Sequence, residues 1–214
     1  MRIERHSDEP AWEGVDLRVA GMPEVPLLGL YRHRAAVRPL ALHTHRGHLE
    51  ICYLAAGRQV YHVGGRDYVL AAGDLFVTAP DAPHGSGTYP EEKGVLHWVQ
   101  VRLTRPKGFL GLPGAEGPAL VAALRALRGP HGVANDEVRR LFPLLQEWVR
   151  QPDGPMRRAR VRAGLVALLM AVVESLAVPA ARRRDRGINR VLALIEAEPG
   201  GDLSVPRLAA VAKL

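Results

Sequence analysis

The sequence predicts an α+β fold in which an antiparallel β-barrel or sandwich is followed by helices. Between about residues 27 and 103, short runs rich in β-branched and aromatic residues are punctuated by Gly, Pro and Asp, which is typical of short strands and tight turns. After Arg105 the apolar residues recur at helical spacing. Many short strands at regular intervals favour a sandwich or a barrel for the first half of the chain.

Seven strands are expected in this first half. Gly64 and Gly65 separate two of them and suit a two-residue hairpin, because both positions of a primed turn need positive φ. His43 and His45, two residues apart, are expected on the same face of one strand. The predicted strands cover residues 28–33, 40–43, 50–54, 59–63, 67–70, 75–78 and 95–101.

Three helices are expected next. The first covers residues 119–128, and the second runs from a cap at Asn135 or Asp136 to about residue 150, with a kink or a break at Pro143. The third covers residues 156–177 and has one apolar stripe. Because a barrel supplies its own interior, we expect part of this stripe to pair with a second copy of the chain in a homodimer. The stripe consists of Val161, Leu165, Leu168, Leu169, Val172, Val173 and Leu176.

The last part of the chain is basic. Residues 179–187 are predicted to form a basic linker, and short helices are expected over residues 188–198 and 205–213, the latter capped by Ser204. The net charge is +7, of which residues 1–110 contribute +1 and residues 111–214 contribute +6. Such a distribution favours an anionic partner such as nucleic acid. A general preference for Arg is the alternative, since only three of the 29 basic residues are Lys.

Several classes of protein are disfavoured by the composition. Cys52 is the only cysteine, so an internal disulfide is excluded and a reducing compartment is expected. The first ten residues are too polar for a signal peptide, and the longest uncharged apolar run, residues 163–173, is too short for a membrane span. We therefore expect a cytoplasmic protein without a membrane partner.

Four residues are the candidate ligands of a metal ion. They are His43, His45, Glu50 and His84, and three imidazoles with one carboxylate are the ligand types of zinc, iron, nickel and manganese sites. The alternative is that the same groups form a polar lining that hydrogen-bonds an organic ligand. Cys52 shares strand parity with Glu50 and should line the same pocket, or else serve as a small buried apolar residue. Further candidates for ligand binding are His62, His97 and Trp98, whereas His48 is expected to be exposed.

The spacing of these residues resembles the two signature motifs of the cupin superfamily. The first motif reads His43-x-His45, then Glu50 and Gly57, and the second reads Gly73-Asp74 and then His84. The second motif departs from the usual pattern because Ala79 and Asp81 stand where the family has Pro and Gly. The resemblance implies a double-stranded β-helix barrel. It also implies that His43, His45, Glu50 and His84 could bind one divalent metal.

The order of segments also resembles the AraC family of bacterial transcription regulators, over about residues 40–214. The resemblance implies that residues 188–198 are the first helix of a DNA-binding region and that residues 203–209 begin its first helix-turn-helix. The sequence stops within that motif, before a recognition helix, so Arg182, Arg183, Arg184 and Arg186 are expected either to form a solvated linker or to contact phosphates without reading sequence.

These observations divide the chain into a cupin effector-binding domain (1–108), a helical dimerisation segment (109–178), a basic linker (179–187) and a truncated DNA-binding start (188–214). The favoured hypothesis is the effector-sensing and dimerisation part of an AraC-type regulator. It would bind a small polar molecule and, through the full DNA-binding region, DNA, and it would not be an enzyme. The alternative is a metal-dependent cupin enzyme, a dioxygenase or an isomerase, which leaves the basic linker and the last segment without a role.

Overall fold

The computed structural model describes residues 3–4, 12–127, 131–177 and 186–212. The chain divides into two compact units, residues 1–177 and residues 178–214. In the described residues, the first unit combines an antiparallel sheet with three α-helices and two short 3-10 helices (Arg18–Ala20 and Phe109–Gly111), and the second contains two α-helices. The predicted α+β class is therefore confirmed.

The described strands form one antiparallel system. The order of neighbouring strands is β1-β2-β3-β8-β4-β6-β9, and β5 and β7 also pair with β4. The predicted hairpin between β4 and β5 is confirmed, since Gly64 and Gly65 both have positive φ. The strands are β1 (Ile3–Glu4), β2 (Trp12–Asp16), β3 (Leu27–His33), β4 (His48–Val63), β5 (Arg66–Ala71), β6 (Asp74–Thr78), β7 (His84–Gly85), β8 (Gly94–Arg102) and β9 (His131–Val133).

Strand β4 corrects the sequence prediction, which divided it into two strands over residues 50–54 and 59–63. It is continuous for 16 residues, and its register against β8 shifts between Leu54 and Ala56, where a β-bulge inserts one residue. Gly57 follows the bulge with φ 92°, and a Cβ there would lie 2.3 Å from the Lys93 carbonyl oxygen. The sequence signal for a turn at Gly57 therefore reflects a close approach of two strands within the sheet.

A second correction concerns residues 40–43, which do not form a strand. They are bound to the barrel by one isolated bridge, in which the main chains of His43 and His84 exchange two hydrogen bonds of 2.9 and 3.0 Å. The Leu40 N–H donates to Ser86 Oγ at 2.8 Å, and the Ser86 N–H donates to the Leu40 carbonyl. These contacts hold the first two histidines of the candidate site beside the third.

The two faces of the sheet pack against different partners. Alternate residues of β4, β6 and β8 face the barrel interior, where an apolar cluster includes Cys52, Leu54, Tyr61, Phe76 and Trp98. The intervening residues face the helices, and this larger core is shared between the sheet and all three helices of the first unit. The predicted boundary between residues 108 and 109 thus separates elements with a common core.

The helices of the first unit are α1 (Glu116–Arg125), α2 (Asp136–Trp148) and α3 (Pro155–Ala177). The predicted cap is confirmed, because the Val138 N–H donates to Asn135 Oδ1 at 2.9 Å. Of the kink or break expected at Pro143, the break is wrong, because α2 is continuous from Asp136 to Trp148. Pro143 has no N–H to donate to the Arg139 carbonyl, but both residues are exposed, so water can reach this carbonyl. The buried Phe142 and Leu145 anchor the helix on either side of Pro143.

The apolar stripe of α3 is not a free dimer surface. Val161, Leu165, Leu168, Leu169 and Val172 are at most 2% exposed, and they pack in the shared core of their own chain. The inside of the barrel is a separate cluster, so the outer face of the sheet needs these side chains to cover it. These five residues of the stripe are therefore not available to a homodimer interface.

The second unit consists of α4 (Arg186–Ala197) and α5 (Val205–Ala212). The Arg190 guanidinium donates to the carbonyls of Val211 and Ala212 at 2.9 and 2.8 Å, which ties the end of α5 to α4. Helix α4 begins two residues before the predicted start, inside the expected linker, and residues 179–185 of that linker lie outside the described residues. In the described parts of the chain, every helix is too short or too polar to cross a membrane.

We expect Leu168→Ala to lower the free energy of unfolding by about 2–5 kcal/mol, because it leaves a cavity in a core where Leu168 is 0% exposed. Met170→Ala on the same helix is the matched control, and it should change this free energy by less than about 1 kcal/mol because Met170 is 51% exposed. Urea denaturation followed by circular dichroism measures both. Unchanged stability together with a weaker dimer in sedimentation would restore the stripe as an interface.

Candidate functional site

The structure brings the four candidate ligands together at one place in the barrel. Glu50 lies on β4 and His84 on β7, while His43 and His45 lie in the segment that enters β4. The ring centroids of the three histidines are 4.3–5.1 Å apart, and one nitrogen of each lies within 4.8 Å of the others. Glu50 is between two of them, with Oε2 2.9 Å from His45 Nε2 and Oε1 3.3 Å from His84 Nε2.

Backbone carbonyls orient two of the imidazoles. His43 Nδ1 lies 2.8 Å from the Ala41 carbonyl oxygen, and His84 Nδ1 lies 2.9 Å from the Ala82 carbonyl oxygen. Because a carbonyl only accepts, each Nδ1 carries a proton and donates it. In a neutral ring this leaves the Nε2 lone pair free, which is the arrangement found in metal-binding histidines.

His84 Nε2 is the atom that tests whether a metal fits. It is buried and makes no hydrogen bond of acceptable geometry, yet it lies 3.3 Å from a carboxylate oxygen. A neutral imidazole with its proton on Nδ1 would point a lone pair at an anion. A proton or a cation between the two atoms removes this repulsion, so the donor set fits a divalent metal.

The electrostatics of the cluster are those of a carboxylate held among imidazoles. Burial alone would raise the pKa of Glu50, but the His45 and His84 imidazoles beside its two oxygens offset burial and hold this pKa well below its usual range. Burial would lower the pKa of His84, but the Glu50 carboxylate beside Nε2 and the hydrogen bond to the Ala82 carbonyl raise it. Burial lowers the pKa of His43, which favours the neutral form that a metal requires.

A cavity of about 490 Å³ opens beside the cluster. This volume is in the range of small-molecule sites. The wall combines aromatic, apolar and charged groups, so it suits a ligand with both polar and flat apolar parts. The lining residues that matter here are Trp12, Tyr31, Arg38, His43, His45, Glu50, Cys52, Tyr61, Glu91, Trp98 and Gln100.

Two of the predicted lining residues do line this cavity. Cys52 has its Sγ 3.7 Å from Glu50 Oε1 and accepts a hydrogen bond from the Tyr61 hydroxyl at 3.3 Å. Burial, with the nearby Glu50 carboxylate, raises the pKa of the Cys52 thiol, so the thiol is protonated. Trp98 lies flat against Gly29, where a Cβ would come within 2.0 Å of the indole. Its Nε1 is buried without a hydrogen-bond partner.

The other two predicted lining residues lie elsewhere. His62 pairs with Asp67 at 2.6 Å, outside the cavity, because the bulge after Leu54 reverses the parity of the later part of β4. His97 precedes Trp98 on β8 and faces the helices, where its ring stacks on Tyr53 and contacts Phe142. His48, expected to be exposed, is half-buried and accepts a hydrogen bond from Arg102 at 3.2 Å.

Sequence reasoning missed six of the lining residues named above, which are Trp12, Tyr31, Arg38, Tyr61, Glu91 and Gln100. Gln100 Nε2 lies 3.1 Å from His45 Nδ1 and 3.4 Å from Glu50 Oε2, so it contacts two candidate ligands. Gln100 stands two residues after Trp98 on β8, so both side chains are expected on the same face of the strand. This spacing was the sequence signal that could have identified Gln100. Tyr61 had no such signal, because only the bulge turns it towards the interior.

Comparison with known proteins identifies part of the chain. Residues 36–100 match the family described as the cupin domain, which confirms that a cupin domain is present. No curated protein matches the sequence.

Among solved structures, a predicted oxalate decarboxylase from Thermotoga maritima is 23% identical, with 48% of this chain and 93% of that chain covered and a TM-score of 0.36. KdgF from Halomonas sp. is 21% identical, with 48% and 89% covered and a TM-score of 0.33. The AraC-like transcriptional activator CuxR is 12% identical, with 95% and 69% covered and a TM-score of 0.45. These scores are too low to support a functional argument.

We expect the stability of the protein to fall as the pH drops from about 6.5 to about 4, in part because of His97. Burial, with Arg32 and Arg150 nearby, lowers the pKa of His97 to about 4. A histidine in an unfolded chain titrates near 6.5, so over this range protons bind the unfolded state first. The contribution of His97, fully present above pH 6.5, is about 3 kcal/mol and is lost by about pH 4.

Urea denaturation at several pH values between 7 and 4 measures this effect. His97→Leu should flatten the pH dependence of the unfolding free energy, whereas Met170→Ala, which removes no ionisable group, should leave it as in the parent. An unchanged slope in His97→Leu would contradict the assignment.

Proposed function

We propose that this chain is the effector-sensing and dimerisation portion of an AraC-type bacterial transcription regulator. The observation that carries the proposal is the convergence of His43, His45, Glu50 and His84 at a cavity of about 490 Å³. The cavity binds a small polar effector, with one divalent metal held by these four residues. Contact with DNA is made through the region that begins with α4 and α5.

The residues around the cavity have distinct roles in this proposal. A metal held by His43, His45, Glu50 and His84 would supply a Lewis acid at the cavity. The Ala41 and Ala82 carbonyls orient two imidazoles, and Gln100 donates to Glu50 and His45. Trp12 and Trp98, with ring centroids 6.1 Å apart, exclude water from one side of the cavity.

A chain of contacts leads from the cavity to the helices. The Trp98 indole lies against Gly29 on β3, and the Gly29 carbonyl accepts a hydrogen bond of 2.8 Å from Gln146 on α2. An effector that displaced Trp98 would therefore shift the backbone to which α2 is attached. A regulator requires this kind of connection, because occupancy must bias one of two arrangements of the protein.

The second unit favours regulation over catalysis. Helices α4 and α5 form a compact unit of their own after the barrel and its helices, and their sequence resembles the start of a helix-turn-helix. A cupin enzyme has no evident use for this unit. The rival function is nevertheless a metal-dependent dioxygenase or isomerase, and the observation that favours it is the same ligand set beside a cavity open to a substrate.

We expect the purified protein to contain about one divalent metal ion per chain, and His43→Ala and His84→Ala to lose it. Removing an outer partner of a ligand weakens metal binding about 10–100-fold, so removal of a ligand itself should weaken it by at least this factor. Elemental analysis after dialysis measures the metal. His62→Ala is the matched control, because His62 lies outside the cavity. Absence of metal from the parent, or an equal loss in His62→Ala, would contradict the proposed metal site.

We expect the metal-loaded protein to bind a small polar compound reversibly and to release it unchanged. A thermal-shift screen of such compounds identifies a ligand, and magnetic resonance of the mixture over several hours shows whether it is converted. His45→Ala should abolish the thermal shift if the ligand binds in this cavity. Conversion by the parent that His45→Ala abolishes would establish the enzyme alternative and overturn the sensor.

A further inference from the structure

Asp81 has an unusual backbone conformation in the turn that leads to His84. Its φ is 63°, and among the described residues Leu110 is the other non-glycine residue with positive φ. This conformation is natural for Gly and strained for other residues, although Asp and Asn tolerate it best. The cupin motif that this segment resembles has Gly at this position, whereas this chain has Asp.

The side chain of Asp81 makes a contact that Gly could not make. Asp81 Oδ1 accepts a hydrogen bond of 3.0 Å from the N–H of Gly47, which lies in the turn that follows His45. Gly47 itself has φ 69°, a conformation that glycine adopts without strain. The carboxylate thus joins the turn before His84 to the turn after His45, two segments that are 34 residues apart in the sequence.

The main chain of Asp81 strengthens the same connection. The Asp81 N–H donates to the His45 carbonyl oxygen at 3.3 Å, and this carbonyl also accepts from the His48 N–H at 3.1 Å. The carbonyl of the next residue, Ala82, accepts the proton of His84 Nδ1 at 2.9 Å. One short turn therefore contacts the backbone of His45 and fixes the ring of His84.

We propose that Asp81 is a positioning residue that fixes the placement of His45 and His84 relative to each other. The hydrogen bonds of the Asp81 side chain and main chain hold this strained φ in place. Strained backbone conformations of this kind cluster at functional sites. The value of this placement for metal binding rests on the proposed function, whereas the placement itself does not.

Three variants separate the side-chain contact from the backbone conformation. Asp81→Gly relieves the strain at φ 63° but removes the acceptor for the Gly47 N–H. Asp81→Asn tolerates the same φ and keeps an oxygen acceptor. Asp67→Gly is the control. Asp67 is exposed like Asp81, but its carboxylate pairs with His62, which lies outside the cavity.

The first measurements use the metal-free protein at neutral pH. Amide hydrogen exchange of Gly47 should accelerate in Asp81→Gly and stay as in the parent in Asp81→Asn. The imidazole ¹⁵N signals of His45 and His84, assigned with the corresponding Ala variants, should shift in Asp81→Gly only. Faster Gly47 exchange without any shift of these imidazole signals would overturn the proposal, since the contact would then be merely structural.

The second measurement is the affinity for Co²⁺, read from its visible absorption in competition with a chelator. Asp81→Gly should bind Co²⁺ about 10–100-fold more weakly, as expected when the support of a ligand is lost. Asp81→Asn and Asp67→Gly should remain within about 3-fold of the parent, which is less than 1 kcal/mol. Equal affinity of Asp81→Gly and the parent would overturn the positioning role. If the parent binds no Co²⁺, the metal proposal fails, and the exchange and imidazole signals alone decide for or against Asp81.

Discussion

Strand β4 is the element on which the rest of this structure depends. It is continuous over 16 residues and pairs with β8, β6, β5 and β7. A single inserted residue between Leu54 and Ala56 lets one strand serve two parts of the barrel, because the bulge reverses which residues face the interior. Before the bulge Glu50 and Cys52 point inwards, and after it Tyr61 does. The hydrogen bond from the Tyr61 hydroxyl to Cys52 Sγ joins the two parts.

The candidate site follows from this arrangement and from short segments attached to it. Only Glu50 stands on the long strand, whereas His84 lies on the two-residue strand β7 and His43 and His45 are carried by irregular chain that the barrel holds through individual hydrogen bonds. The His43–His84 bridge, the Ala41 and Ala82 carbonyls and the Asp81–Gly47 contact each fix one part of the ligand set. Loops held by a rigid scaffold commonly carry function in this way.

The barrel and the helices are one structural unit because the outer face of the sheet is apolar. Helices α2 and α3 cover it with fully buried side chains such as Phe142 and Leu168. Most of the α3 stripe is buried in this core, so that part of the stripe cannot form the dimer interface that the sequence predicted. The same packing also brings His97 and Tyr53 of the sheet into contact with Phe142 of α2. The cavity and the helical layer therefore lie on opposite faces of the same sheet.

Local patterns in the sequence were sufficient for the α+β class, the Gly64-Gly65 hairpin, the Asn135 cap and the four clustered ligand-type residues, since each depends on neighbours in the chain or on motif spacing. Parity correctly placed Cys52 beside Glu50. Placement of His62, His97 and Tyr61 depended on a bulge and on which face the helices cover, and neither leaves a local signal. The role of the α3 stripe and the tolerance of Pro143 were likewise decided by packing, because a buried neighbour or an exposed carbonyl exists only once distant segments have come together.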